Sequence, residues 1–515
     1  MHEPKYIEET PLTHRKHFGQ FFTPPLVARL MAKWVIKNNP KSILDPAFGL
    51  GVFYDEISKL ISKHNFHFTG YEIDSNIFKY IKKKEVIKNQ FILNDDYLQA
   101  DLESFDGIIC NPPYMRFQKF LNRHHVLPNI ENKIGKKLIG YANISSVFLI
   151  KALKELNIDG NLAFIMPFEF FNTGYGKEIK KSLLENNLLK QIIIFSNEKE
   201  LFPNATTTVC VLLCKNDGKE ETIKITQIKS NMGIDKIKDI SEFYQQRINS
   251  SELPYNKKWT PIILSLFSKE EIPKDLCNLS FYGTVTRGIA TGANEFFALT
   301  KSTINKWKII NINTCKCITK SSQIQKAIFT ETDFNKLSNA DRPVYCLSVK
   351  DQSDENTQNY IEDGEKHGYN KRYLTRTRTN WFEIENRTPA PILFGVFNRG
   401  RLKVIRNYTP TITFTCFHSF YPNLYGKQVL DKLFIFFLSN IGQKIISNNK
   451  RSYGDELDKF EPGDLKECLC PNMKHFELIN EEEVQKVIEL AKTNEKAAIQ
   501  ICNKLINQII YLQPK

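Results

Sequence analysis

Residues 108–114 read Ile-Ile-Cys-Asn-Pro-Pro-Tyr, a short apolar run that stops at Asn111-Pro112-Pro113-Tyr114. Neither proline has a backbone N–H to give to a neighbouring strand, so a strand must end there. A stiff loop follows, with carbonyls that lack ladder partners, the Asn111 side-chain amide beside them and the Tyr114 ring next. Two acceptors aimed at one nitrogen and an aromatic face to stack on are the parts needed to grip a planar amine. A plain turn is the competing reading of the tetrapeptide, and the surrounding spacing decides between the two.

Upstream, Asp45-Pro46-Ala47-Phe48-Gly49-Leu50-Gly51 lies between a short apolar run and a helical one. Gly49 and Gly51 let the backbone come close to a ligand. The loop has neither the lysine of a phosphate-cradling loop nor the third glycine of a dinucleotide site. Asp45 at its start suits a cationic amino group, such as that of the sulfonium-bearing amino acid S-adenosylmethionine. Glu72 ends the next apolar run about 20 residues on, where an acid can accept both hydroxyls of a ribose. Asp96, after a third run, is placed to accept the adenine amino group of the same cofactor, with Ile73 and Tyr97 walling the ring. Asp95 is adjacent and competes with Asp96 for that role.

These residues need elements to hold them at one edge. The spacing predicts strands at 42–44, 66–73, 91–93, 105–110, 161–166, 190–196 and 206–214. Helices are expected at 25–38, 52–62, 75–85, 142–156 and 175–187. Strands alternating with helices predict a mostly parallel, doubly wound α/β sheet, whose ligands bind at the carboxyl ends of the strands. The singled-out residues all lie at such ends. The alternation fades after about residue 215. Residues 246–262 read as a linker, so a first domain spans 1–245 and a second 263–515. The second is mixed and β-leaning, with runs such as 391–397 and 411–417 and an amphipathic helix pair over 480–512. The acidic-basic stretch 353–372 reads as a solvated loop or a substrate-facing segment.

The chain has 515 residues and a formal net charge of +14, with +6 over residues 1–250 and +8 over the rest. Positive charge spread over both halves points to a polyanionic partner rather than to a basic tail. No window of 18 apolar residues occurs and the first ten residues have no apolar core, so neither a membrane span nor a signal peptide is expected. The 11 cysteines are scattered, and several lie in apolar runs as small hydrophobes, which suits a reduced, cytoplasmic protein. Cys315/Cys317 and Cys468/Cys470 have the wrong spacing for zinc, and no metal site is expected.

Motif order and spacing resemble the amino-methylating DNA methyltransferases of the γ class, the TaqI-like adenine-N6 group. Gly19-Gln20-Phe21-Phe22-Thr23-Pro24 stands where that group has its Phe-x-Thr-Pro element. Asp45 to Gly51 match its glycine loop, departing at Leu50, where a small residue is usual. Glu72, Asp96 and residues 111–114 follow in order, and Phe202-Pro203 precedes a Thr/Val strand as in the group. The resemblance covers roughly residues 15–215. It implies a Rossmann-like domain that uses S-adenosylmethionine, bound by Phe22, Thr23, Asp45, Ala47, Gly49, Gly51, Glu72, Ile73, Asp96, Tyr97 and Pro113. It also implies transfer to an adenine rotated out of double-stranded DNA. Asn111 and Pro112 would accept the two amino hydrogens, Tyr114 would stack on the base, and Phe202 would hold it from another side.

The second half is similar to the target-recognition domain of related modification enzymes, through 287–297 and 372–381 followed by 389–394. Arg287, Arg376, Arg378, Arg399, Arg401 and Lys403 are its candidates for DNA contacts, while Trp381 and Phe382 read as core. The expected protein is a monomeric modification enzyme of a restriction–modification system, with a cognate restriction endonuclease acting separately and no membrane partner. Rival readings are a protein glutamine methyltransferase, an RNA adenine methyltransferase and a non-catalytic DNA-binding module. A fused nuclease would need an acidic-lysine cluster. Glu178-Ile179-Lys180 is the kind of match that chance supplies.

Overall fold

The computed structural model describes residues 6–511 apart from 7, 12–13, 15–21, 62–65, 83–89, 115–122, 136, 138–142, 196–208, 220–221, 229–242, 244, 268–274 and 454–456. Gly19 to Phe21 and Phe202-Pro203 therefore lie outside the described residues. The chain forms two compact units, Met1–Lys269 with Tyr453–Asp455, and Glu270–Ser452 with Glu456–Lys515.

The first unit is built on a nine-stranded sheet. In chain order its strands are β1 (Ser42–Asp45), β2 (His67–Tyr71), β3 (Gln90–Leu93), β4 (Phe105–Cys110), β5 (Leu156–Pro167), β6 (Leu189–Phe195), β7 (Val209–Lys215), β8 (Ile223–Ile228) and β9 (Gln245–Ile248). Their spatial order is β3-β2-β1-β4-β5-β7-β6-β8-β9. β1 to β5 are mutually parallel, whereas β7 runs antiparallel to both β5 and β6. The helices are α1 (Pro25–Val35), α2 (Val52–Leu60), α3 (Ser75–Lys82), α4 (Arg123–Ile134), α5 (Ile144–Lys154), α6 (Gly176–Leu184) and α7 (Thr260–Ser265). α1 starts with Pro25, whose missing N–H costs nothing in a first turn. It buries Val27, Ala28, Leu30, Met31 and Val35, the stripe its apolar spacing predicts.

Alternation along the strands sends neighbours to opposite faces. Leu44, Ile108, Leu162 and Ile192 pack in one core, and Ile43, Ile109, Ala163 and Ile193 in the other. Both faces are covered, as a doubly wound sheet requires. A one-residue slip of β1 would exchange Ile43 and Leu44 between the two cores, so the register that sets Asp45 opposite Gly70 is strongly specified.

The stretch expected as a linker is part of this unit. β9 pairs with β8, and Trp259 is fully buried, stacked on Phe171 at 5.5 Å with its indole N–H donating to the Pro254 carbonyl at 3.0 Å. Its polar residues and prolines serve turns around one large apolar anchor.

The second unit holds a five-stranded sheet ordered Gly283–Arg287, Phe417–Pro422, Ile392–Gly395, Val404–Asn407 and Ile328–Phe329, and a smaller four-stranded one. The expected terminal helix pair is present as Glu481–Thr493 and Glu495–Tyr511. It shares a core with Leu433, Phe437 and Phe394. The 353–372 stretch contains a helix, Glu355–Lys366, capped by the Asp354 side chain. Thr357, Tyr360, Ile361 and Gly364 face inward at helical spacing, so the loop expectation fails because the charges occupy only the outer face.

Candidate active site

The strand order turns back at β1, with β2 and β3 on one side and β4 and β5 on the other. The crevice beyond the carboxyl ends of β1 and β4 is where open α/β sheets take ligands. Asp45, Glu72, Asp96 and Asn111 stand at or just past the ends of β1, β2, β3 and β4.

Asp45 is fully buried. Its Oδ1 accepts the Ala47 N–H at 3.1 Å, while Oδ2 meets no donor among the described residues. Burial pushes its pKa well up. An unmet buried acceptor costs about 1–3 kcal/mol, and a cationic donor brought from outside the chain would satisfy it. Gly49 has φ +56°, a left-handed conformation that favours glycine, and among the described residues, its chain neighbours aside, a Cβ there would come no closer than 3.9 Å, to the Ala47 carbonyl. Against those residues the loop turns a bare backbone flank outward. The Phe48 N–H donates to the Tyr71 carbonyl at 2.8 Å, stitching the loop to the end of β2.

Glu72 is buried and joined to the same loop. Its Oε2 accepts the Gly49 N–H at 2.8 Å and its Oε1 the Asp74 N–H at 2.8 Å. Burial outweighs those bonds and lifts its pKa to about 7. Ile73 beside it is 47% exposed and keeps an open apolar face. Asp96 is buried and holds its own turn, Oδ1 accepting the Leu98 N–H and Oδ2 the Gln99 side-chain amide, each at 3.0 Å. Each oxygen keeps a second lone pair. Asp95 is exposed and accepts the Asp96 N–H at 2.8 Å.

Tyr97 departs from its expected role. Its ring is 2% exposed, packed against Tyr71 and Phe148 with the Lys151 ammonium 4.0 Å from its centre. Its hydroxyl donates to Glu155 Oε2 at 2.5 Å. No face is left to wall a cofactor ring, because the turn that presents Asp96 sends the next side chain into the core.

Thr23 and Asn111 come together across 88 residues of chain: the Asn111 amide donates to the buried Thr23 hydroxyl at 3.0 Å. Thr23 of the Phe-x-Thr-Pro element is thereby tied to the Asn-Pro-Pro-Tyr element. Tyr114 donates its hydroxyl to Asn111 Oδ1 at 2.8 Å. Burial raises the Tyr114 pKa well above its usual value, so the hydroxyl keeps its proton. Ala47 is partly buried against the core, as are Phe22 and Tyr114 against the opposite one. Pro112 is buried and Pro113 half-buried.

Sequence reasoning missed how the site edge is braced. Buried Asp74 accepts the Tyr6 hydroxyl at 3.4 Å and pairs with His14 Nε2 at 2.8 Å, and Tyr6 meets Phe22 edge-on at 5.7 Å. An acid three residues past the end of β2 was the local signal. Lys180 of the chance Glu-x-Lys match is buried, and its ammonium donates to the Phe171 and Lys257 carbonyls.

In the second unit, three basic candidates are spent internally. Arg378 donates to the Ala290, Thr291 and Trp381 carbonyls. Arg401 donates to the Leu438 carbonyl and Asn440, and Lys403 to the Ser321 and Ile324 carbonyls. Arg287, Arg376 and Arg399 are exposed. Trp381 packs on Phe296 at 4.7 Å, in line with the core reading.

The N-6 DNA Methylase family matches residues 6–280, and the C-terminal domain of Type II methyltransferase M.Eco57I matches residues 256–510. Type II methyltransferase M.AccI of Acinetobacter calcoaceticus is 36% identical over 506 residues, covering 95% of this chain and 91% of its own. Type II methyltransferase M.HindII of Haemophilus influenzae is 28% identical over 61% of this chain and 60% of its own. Among solved structures, the Type IIL restriction-modification enzyme MmeI in complex with DNA superposes over 98% of this chain and 78% of its own, with a TM-score of 0.62 and 14% identity, a likeness of fold. The chain belongs to the N-6 DNA methylase family, among its type II modification methyltransferases.

Proposed function

We propose that this protein transfers a methyl group from S-adenosylmethionine to the N6 amino group of an adenine flipped out of duplex DNA. It would be the modification enzyme of a restriction–modification system, with a restriction endonuclease as a separate partner. The observation that carries the reading is the Thr23–Asn111–Tyr114 arrangement at the end of β4, together with Asp45, whose buried Oδ2 meets no donor among the described residues.

The cofactor supplies an electrophilic methyl group on sulfur. Asp45 would take its ammonium group, Glu72 its ribose hydroxyls and Asp96 its adenine amino group, with Ile73 against the ring. Asn111 Oδ1 and the Pro112 carbonyl would accept the two hydrogens of the target amine. Those bonds would hold the nitrogen lone pair on the line of transfer, so that the N–CH3 bond forms as the S–CH3 bond breaks and the surplus amine proton leaves to solvent, positioning and charge stabilisation doing the work without a covalent enzyme intermediate. Tyr114 gives the base a stacking face once its hydroxyl leaves Asn111. Phe202 would hold the base from another side.

Labelled S-adenosylmethionine and unmethylated genomic DNA, followed by nucleoside analysis, test the reading. N6-methyladenine is the expected product. Asn111→Ala is expected to lower kcat by about 10²–10³-fold while cofactor binding persists. Tyr114→Ala is expected to lose about 10–100-fold and Tyr114→Phe, which keeps the ring, much less. Label only in protein or RNA would overturn the substrate, and full activity in Asn111→Ala would overturn the mechanism.

A further inference from the structure

The segment Tyr369–Arg378 carries Lys371, Arg372, Arg376 and Arg378 and no acid. At its tip Tyr373 is 71% and Leu374 40% exposed. A single exposed apolar side chain means little. This pair differs because the backbone that presents it is tied down from several directions. Thr375 is fully buried, and its hydroxyl donates to the Tyr369 carbonyl at 2.5 Å. The Arg376 N–H closes onto the Arg372 carbonyl at 2.9 Å, and the Thr377 hydroxyl onto the Leu374 carbonyl at 2.8 Å. Arg378 staples the exit of the turn to the Ala290 and Thr291 carbonyls, both at 2.8 Å.

The neighbouring loop is shaped to receive the turn. Gly292 has φ +80°, and a Cβ there would lie 2.7 Å from the Leu374 Cβ. Any other residue would push the turn away. Beneath it, Phe296 stacks on Tyr360 at 4.8 Å and packs against Tyr369 and Trp381. The pair at the tip is thus displayed by a rigid base, not exposed through looseness. Arg372 shares its charge with Glu295 at 3.0 Å, while Arg376 is exposed and lies 5.6 Å from the Tyr373 ring.

We propose that the turn Lys371–Thr377 is a DNA-contacting element, in which Tyr373 and Leu374 enter a groove and lie against a base step while Lys371 and Arg376 hold flanking phosphates. The occupant is duplex DNA, argued from cations that flank an apolar tip with no acid in the segment. Aromatic and aliphatic tips stack on or wedge between bases, and flanking cations fix the register on the backbone. The inference rests on the reading of the protein as a DNA methyltransferase and adds where and how the second unit meets its substrate.

The test uses the full-length protein and a short duplex carrying the sequence that the wild type methylates in genomic DNA. Tyr373→Ala with Leu374→Ala is expected to lower kcat/KM for the duplex by about 10–100-fold. Cofactor affinity and thermal midpoint should stay at the wild-type values, since both side chains project outward. Tyr373→Phe keeps the ring and is expected to stay within about threefold. Arg376→Ala is expected to reduce the salt slope of duplex binding by about one. A double variant within twofold of wild type overturns the proposal, and so does a parallel loss of cofactor affinity. If the wild type places no methyl group in DNA, the functional reading fails first and the proposal with it. Those outcomes are distinguished by the wild-type control.

Discussion

Glu72 receives two backbone N–H groups, yet burial lifts its pKa from 4.5 to about 7. A carboxyl whose pKa rises on folding favours the folded state in its protonated form. That contribution is full below about pH 4.5 and is lost as pH rises through about 7, an amount on the order of 3 kcal/mol. Ribose binding runs the other way, because the ionised carboxylate is the better acceptor for two hydroxyls. The thermal midpoint of the free protein is therefore expected to fall from about pH 5 to 7.5, while cofactor affinity tightens from about pH 6 to 8. Glu72→Gln should flatten both trends, and a flat affinity profile in the wild type would remove Glu72 from the ribose role. Glu72, Asp45 and Asn111 were legible in the sequence because acids and amides at the ends of apolar runs are exceptional. Tyr97 misled because residue type cannot tell which way a side chain leaves a turn.

Next to the buried Tyr97 that follows Asp96, Lys151 of α5 and Glu155 at its C-cap form a buried ion pair. Lys151 and Glu155 are both about 1% exposed in their side chains, and Glu155 also accepts the Tyr97 hydroxyl. Burial lowers the Lys151 pKa and raises that of Glu155, so each depends on the other to stay charged. Lys151→Met strands the carboxylate and is expected to cost about 3–5 kcal/mol in urea unfolding. Adding Glu155→Leu should recover part of that loss, since removing both charges is far cheaper than removing one. A single-variant cost below about 1 kcal/mol would show the pair to be worth no more than a surface one. The strands and helices around the site were readable from apolar spacing. The helix Glu355–Lys366 was not, because a run of charges hid four inward positions, and the 246–262 stretch was not, because one buried Trp259 outweighs its polar composition.

Each of the two units has its own core, and the residues proposed to bind the cofactor all belong to the first. Cofactor at 100 times its Kd is expected to add about 2.7 kcal/mol of stability where it binds. Hydrogen exchange should show this as slowed amides in 43–51 and 68–74, with 392–395 and 417–422 unchanged. Uniform slowing across both units would contradict a site confined to the first. The sequence by itself determined the first seven strands along the chain, the residues at the ends of β1 to β4 and the basic balance, because these follow from residue type, short-range period and composition; β8, β9 and the spatial order of the sheet did not come from it. Only the tertiary structure decided which lone pairs are already taken and which cations are spent. Thr23 meets Asn111, and Arg378 meets Ala290, each across 88 residues. Such contacts depend on how distant segments pack, and no local pattern records them.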